Sequence, residues 1–295
     1  MMQAAINRVI PKGVKERVVY PYIIKRKARK LAQTSKRLDI CAAQFAHVLH
    51  LAGGVNLEGK TCLEIGCGWV LSHTLICYLL GAKRIIATDL QRIFYPSALT
   101  AAVQEAVASI PRDLLAPFSS YSAVRQRYER LLAIKEFRES DLNALGIEYL
   151  SPVDIAAKPL GIPVDFVYSL SVLEHVPKTC IQPLLSNLVL DLKPGGCMLH
   201  CVHLEDHQDF EAPFEFLGIP SRNYPLKSEV YRGNRVRRSE WDEIFSRLEG
   251  TESRMLYSYI RTERPLPKTV DAAVRFTDEN DLRTTHIGVV TRKPL

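Results

Sequence analysis

Short, almost unbroken apolar runs recur along the chain, and each ends abruptly at glycine, serine or a carboxylate. Thr61 to Ile65, Arg84 to Thr88, Val164 to Leu170 and the stretch after Gly196 have the length and β-branched content of strands buried on both faces. Between the first two, Leu71 to Gly81 is a helix-length apolar stretch closed by glycine, so the order is strand, helix, strand. A βαβ unit of this kind predicts parallel pairing. The pattern also predicts helices over Arg37 to Gly54, Ser97 to Ile110, Tyr121 to Ile134, Glu139 to Leu145 and from Ser239 to Leu248. Further strands are expected within Gly146 to Ala156 and at Arg254 to Arg261 and Thr285 to Arg292.

The first strand runs directly into Gly66 and Gly68, with Glu64 near its end. Glycines there let backbone approach a ligand more closely than any Cβ permits. The third glycine of the dinucleotide fingerprint is absent, as are the Lys and Ser/Thr of the phosphate-binding loop, so a ligand smaller than a dinucleotide and without phosphates is expected. An ordinary tight turn is the plainer alternative for this segment alone. Asp89 lies 25 positions after Glu64, at the end of the second strand, where a carboxylate is placed to accept hydrogen bonds from two ribose hydroxyls.

Two more motifs follow in order: an aspartate-led strand and turn, Asp165-Phe-Val-Tyr-Ser-Leu-Ser-Val-Leu-Glu-His-Val-Pro177, and the Leu192-Lys-Pro-Gly-Gly196 turn before a fresh strand. With the Glu64 to Gly68 loop and Asp89, they make the chain resemble the class I S-adenosylmethionine-dependent methyltransferases over roughly residues 60–204. The resemblance implies an α/β fold, a Rossmann-like seven-stranded, mostly parallel sheet with helices on both faces and the last strand antiparallel beside the sixth. It divides the chain into a basic arm (1–38) and a methyltransferase domain (39–295), with a helical insertion after the second strand (about 91–148) and an acceptor-side elaboration (about 205–250). The helix after Arg37 would help close the cofactor pocket. S-adenosyl-L-methionine is the cofactor it implies, with Gly66 and Gly68 admitting it, Glu64 organising its amino-acid end and Asp89 holding the ribose. Asp154 would take the adenine amine with Ile155 over the ring, and the turn from Ser169 to Leu173 would form the wall facing the methyl group. For Asp154, a solvated capping carboxylate is the alternative.

The reaction implied is in-line attack on the sulfonium methyl by an unidentified acceptor, most simply O-methylation of a small molecule or glycan. An inactive binding or scaffold protein on the same fold is an alternative, because fold alone does not establish turnover. A nucleic-acid methyltransferase is a third, weakened by Ser169-Leu-Ser-Val-Leu-Glu-His where amino-group nucleic-acid methylation uses an Asn/Asp-Pro-Pro-aromatic motif; no specific nucleic acid is expected. His175, His200 and His207 are the candidate bases, since imidazole accepts a proton near neutral pH. His175 belongs to a turn shared by enzymes with diverse acceptors, which favours the other two. A metal reading of the His200 to His207 cluster meets the difficulty that His200 and His203 point to opposite faces of a strand, and no metal site is assigned. His200, Leu204, Asp206 and His207 also resemble an H-x-x-x-L-x-D-H-F stretch of bacterial methyltransferases found among glycan-modification genes, although Gln208 replaces the aromatic residue.

Composition alters this picture in two places. The seven cysteines are scattered, several lie in apolar stretches and none forms a C-x-x-C pair. That, with no apolar run near bilayer length and no signal-peptide pattern, predicts a cytoplasmic protein. The charge is concentrated: residues 1–37 carry eleven Lys or Arg against Glu16 alone, and the remainder is slightly acidic. Basic residues interleaved with Val18, Val19, Tyr20, Tyr22, Ile23 and Ile24 suit peripheral contact with an anionic membrane surface, a polyanion or a partner protein; a solvated or packed helix is the plainer alternative. His47 and His50, Arg232, Arg235, Arg237 and Arg238 complete the polar positions of note. The two histidines are assigned no chemistry, and the arginines are weighed as contacts for an anionic or sugar-like acceptor against an ordinary solvated loop.

Overall fold

A computed structural model describes residues 20–107 and 110–295, so the first half of the basic arm (1–19) lies outside the described residues. Seven strands form one sheet: β1 (Thr61–Ile65), β2 (Arg84–Thr88), β3 (Ile147–Leu150), β4 (Val164–Leu170), β5 (Leu192–His203), β6 (Glu252–Ile260) and β7 (Thr284–Arg292). Their order is β3-β2-β1-β4-β5-β7-β6. β1 to β5 are mutually parallel, whereas β7 runs antiparallel to both β5 and β6. The chain steps outward from β1 to β3, then returns to the other side of β1 with β4. This reversal opens a crevice beyond the carboxyl ends of β1 and β4, where open α/β sheets bind their ligands.

Strand alternation divides the apolar side chains between two cores. Cys62, Ile85, Ala87, Phe166, Tyr168 and Leu199 face one; Leu63, Ile86, Val167, Met198, Val202 and Ile287 face the other. The first is covered by α1 (Tyr20–Ala32), α2 (Leu38–Leu51), α3 (Ser72–Leu79) and the insertion. Phe45 of α2 meets Phe166 and Tyr168 edge-on at 6.3 and 5.3 Å, so this helix packs on the sheet face rather than closing the crevice. The second face is covered by α8 (Lys178–Asp191) and, beyond α9 (Leu226–Arg232), by α10 (Arg238–Ser246).

The insertion comprises α4 (Pro96–Gln104), α5 (Ile110–Leu115), α6 (Tyr121–Ala133) and α7 (Glu139–Ala144). Its extra helix, α5, runs through Pro111. A proline in the first turn removes a donor that has no partner there anyway. Leu99, Val103, Leu115, Val124, Tyr128, Leu131, Phe137 and Leu142 are built into the first core. Arg127 of α6 donates to Leu79 O (3.1 Å) and to Glu58 (2.7 Å), residues just ahead of β2 and β1. The insertion therefore leaves from the ligand edge but descends the flank to the opposite edge, which is not the geometry of a lid.

The described half of the basic arm is likewise part of the fold. Ala28 and Ala32 of α1 are fully buried against Val70, Ala98 and Ala102, while Lys25, Arg26, Lys27, Arg29 and Lys30 face outward.

Candidate functional site

β1 ends in Ile65, and Gly66 (φ 65°) and Gly68 (φ 68°) both take the left-handed conformation that glycine adopts without penalty. At Gly66 a Cβ would lie 2.6 Å from Cγ2 of Val172, so the turn after β4 rests directly on the glycine. At Gly68 nothing among the described residues lies closer to a would-be Cβ than Gly66 O at 3.9 Å, which leaves the loop open to them on that side. The Gly68 N–H donates to Asp89 Oδ2 (3.0 Å) and the Gln91 N–H to Oδ1 (3.0 Å). Asp89 thus ties the glycine loop to the end of β2 while staying half exposed at the crevice. Two non-glycine residues, Leu71 (φ 56°) and Ser171 (φ 55°), are held left-handed just beyond the glycine loop and β4. Such conformations cost roughly 1–2 kcal/mol per residue and concentrate at functional sites.

Glu64 is buried, and its Oε2 accepts from Tyr168 Oη (2.8 Å) and from Thr74 Oγ1. Burial raises its pKa above the ordinary carboxylate value. Oε2 therefore serves the fold. Asp154 sits on the loop after β3, joined to the same rim because Val153 N–H donates to Asp89 O (2.9 Å). The Asp154 carboxylate is exposed and caps the N–H groups of Ala156 (3.0 Å) and Ala157 (3.3 Å). Ile155 does not stand over a ligand: it is buried in the second core, and its carbonyl accepts from Asn187 Nδ2 (2.7 Å).

Two expected site residues move inward. Ser169 and His200 lie opposite one another in the β4–β5 ladder, both fully buried, with Oγ and Nδ1 2.8 Å apart. β5 continues to His203, so His200 is an interior strand position on the α10 face, its ring 5.9 Å from that of Phe245. Burial drives its pKa down to about 3, and its Nε2 is enclosed without a hydrogen-bond partner among the described residues. Neither residue fronts the crevice. Of the turn from Ser169 to Leu173, Ser171 and Val172 lie beyond the strand end, and Val172 rests on Gly66.

Four other histidines converge beyond the ends of β4 and β5. His175 and His207 have ring centroids 4.3 Å apart, His207 and His203 4.6 Å, and His203 stacks on His286 of β7 at 4.2 Å. His175 Nδ1 is bonded to Val230 O (2.7 Å), and burial lowers its pKa. Glu174 lies among them, 1% exposed. Asn234 fixes its turn by donating to Leu173 O (2.8 Å) and Val176 O (2.9 Å). Val172, seated on Gly66, is two residues before Glu174, which puts this polar cluster beside the glycine loop. Sequence reasoning passed over Glu174 and His286. The cross-strand pairing of His203 with His286 needs the antiparallel register of β7, which no local motif encodes.

The arginines considered for acceptor contact are mostly engaged within the protein. Arg232 pairs with buried Asp206, Arg235 lies 4.0 Å above the Tyr224 ring, and fully buried Arg237 donates to the carbonyls of Leu204, Leu282 and Thr284. Arg238 pairs with Asp242 (3.1 Å), and His47 Nε2 with Tyr259 Oη (3.0 Å).

No family model and no curated protein matches the chain. Among solved structures, it is similar to an S-adenosylmethionine-dependent methyltransferase from Mesorhizobium loti, at 16% identity over 85% of this chain and 98% of that one, with a TM-score of 0.46. It is also similar to magnesium protoporphyrin IX methyltransferase from Synechocystis with bound S-adenosylhomocysteine (15%; 88% and 86%; 0.44) and to the N-methyltransferase NodS from Bradyrhizobium japonicum (14%; 86% and 86%; 0.41). At these scores the functional reading rests on the chain's own residues.

Proposed function

We propose that this protein is a class I S-adenosylmethionine-dependent methyltransferase acting on a hydroxyl of a small-molecule or glycan-type acceptor. The observation that carries the reading is the Gly66 to Gly68 loop, bonded to Asp89 at the switch point of a β3-β2-β1-β4-β5-β7-β6 sheet with one antiparallel strand. The residues fit the cofactor. The loop is open beside Gly68, and the half-exposed Asp89 carboxylate is suited to accept from ribose hydroxyls.

The bound cofactor supplies an electrophilic methyl group. The chain's part is to align the acceptor, exclude water and remove a proton where the acceptor hydroxyl is poorly acidic. Val172 and Ser171 flank the glycine loop and shape the wall on the β4 side. His207 and His175 are the bases the geometry supports, because they gather at the strand ends while His200 is shut in the core. His175 has Nδ1 on a carbonyl and no hydrogen-bond partner for Nε2 among the described residues, which leaves that nitrogen to accept a proton.

Calorimetry with S-adenosylhomocysteine is expected to give one binding site per chain, and methyl-labelled cofactor with fractionated host extract to label a hydroxyl compound. A folded protein that does not bind the product nucleoside would sink the reading. Binding without label in any fraction would favour a scaffold protein.

The outward basic face of α1 supports peripheral contact with an anionic membrane surface. Replacing Lys25, Arg26, Arg29 and Lys30 with glutamine leaves the buried alanines in place, unlike truncation. Flotation with anionic liposomes at low salt is expected to capture the wild type and to lose the variant, with capture fading as salt rises. Equal flotation of the two proteins would discard the membrane contact.

A further inference from the structure

We propose that Glu174, His203 and His207 bind a divalent transition-metal cation of the zinc or iron(II) class beside the glycine loop. Each offers one ligand atom, and the three atoms lie within 4.8 Å of one another. Both carboxylate oxygens of Glu174 and Nε2 of His207 are buried with no hydrogen-bond partner among the described residues, although Glu174 Oε1 and His207 Nε2 are only 3.5 Å apart. A carboxylate withdrawn from water and left without donors is unfavourable unless a charge compensates it. Around an ion with bonds of about 2.1 Å, tetrahedral ligands stand roughly 3.4 Å apart, so the Glu174 to His207 separation already fits and His203 needs only a small approach.

The surroundings hold these groups in place. Asn234 pins the turn bearing Glu174, the His207 N–H donates to Arg232 O (3.1 Å), and His203 ends β5 stacked on His286. His203 Nε2 is bonded to Glu205 Oε2 (2.9 Å), so a carboxylate engages one ring nitrogen and leaves the other, the pairing found behind metal-ligating imidazoles. Glu205 also pairs with Arg261, which makes it the support rather than the receptor of the cation. Two imidazoles and one carboxylate suit zinc, iron(II) or manganese better than calcium or magnesium, and three protein ligands leave positions open.

The use of those positions rests on the methyltransferase reading. An acceptor hydroxyl bound there would be acidified and lose its proton to water, with His207 holding the cation. Its oxygen would then bond to the methyl carbon as the carbon–sulfur bond breaks and the electron pair returns to sulfur.

Full-length protein freed of metal by a chelator would be titrated with Zn²⁺ against a chromophoric competitor and with Co²⁺ followed by visible absorption. One equivalent is expected, with the intense d–d bands of a four- or five-coordinate site. Glu174→Gln and His207→Ala should each weaken binding by more than the ~10- to 100-fold that loss of an outer partner costs. Retained affinity for S-adenosylhomocysteine checks folding, and Co²⁺ broadening of the His203 and His207 ring signals reads the site in unsubstituted protein. Failure to bind one equivalent, or binding indifferent to both variants with those ring signals undisturbed, would overturn the site and leave His207 and Glu174 as side chains that face each other directly. Metal binding without nucleoside binding would instead remove the methyltransferase reading and leave the metal site standing.

Discussion

Asp89→Ala is expected to weaken S-adenosylhomocysteine binding by about 10- to 150-fold. Hydrogen bonds to a charged group contribute roughly 1.5–3 kcal/mol, and each 1.4 kcal/mol is tenfold in affinity. The substitution acts twice, because the same carboxylate accepts from the Gly68 and Gln91 N–H groups and so shapes the loop that the ligand meets. Asp89→Asn keeps one acceptor and should lose less. Calorimetry on proteins with matched thermal midpoints separates the ligand effect from loosening of the loop. Unchanged affinity in folded Asp89→Ala protein would take the carboxylate out of the site and the cofactor assignment with it.

The second large effect concerns stability. His200 titrates at about 3 in the folded protein, against an ordinary value near 6.5 in the unfolded chain. As pH falls, the unfolded chain takes up a proton that the folded protein refuses. The stability conferred by the neutral buried ring is therefore full above about pH 6.5 and drains away toward pH 3. At one pKa unit per 1.36 kcal/mol, the loss reaches about 2–3 kcal/mol by pH 4.5. His286, lowered to about 4, and His73, also lowered by burial, add to the same acid-side loss. Asn at position 200 can keep a polar contact to Ser169 but does not titrate. Urea unfolding should find His200→Asn weaker than wild type at pH 7.5, through the lost ring contact with Phe245, and less sensitive to acid by that amount. Parallel losses in the two proteins between pH 7.5 and 4.5 would show that His200 is not the group responsible.

The fold was legible because its signals are local. An apolar run ending in Gly66, a second ending in Asp89 and the Pro194-Gly195-Gly196 turn mark strand ends with chemistry that acts within a few residues, and β7 falls within one residue of its expected start. The site was legible only where backbone geometry carries it. Gly66, Gly68 and Asp89 come together because adjacent parallel strands end at the same edge, with the Gly68 N–H on Asp89. Ser169 and His200 pair across the β4–β5 ladder and are covered by the helix that carries Phe245, a packing that no motif near either residue encodes. The Arg235 and Arg237 contacts depend on loops from distant parts of the chain, and nothing in their own neighbourhood distinguishes them from solvated arginines.

The insertion hangs from the ligand edge by the segment after Asp89, where Tyr149 Oη accepts the N–H groups of Ile93 (3.1 Å) and Phe94 (3.3 Å), and is bolted by Arg127 at the far edge. A ligand that tightens Asp89 thereby tightens the upper mooring of four helices whose lower mooring is already fixed. Occupancy of the crevice and the opening equilibrium of residues 96–144 are then linked quantities, and cofactor affinity carries within it the free energy of keeping that whole flank closed.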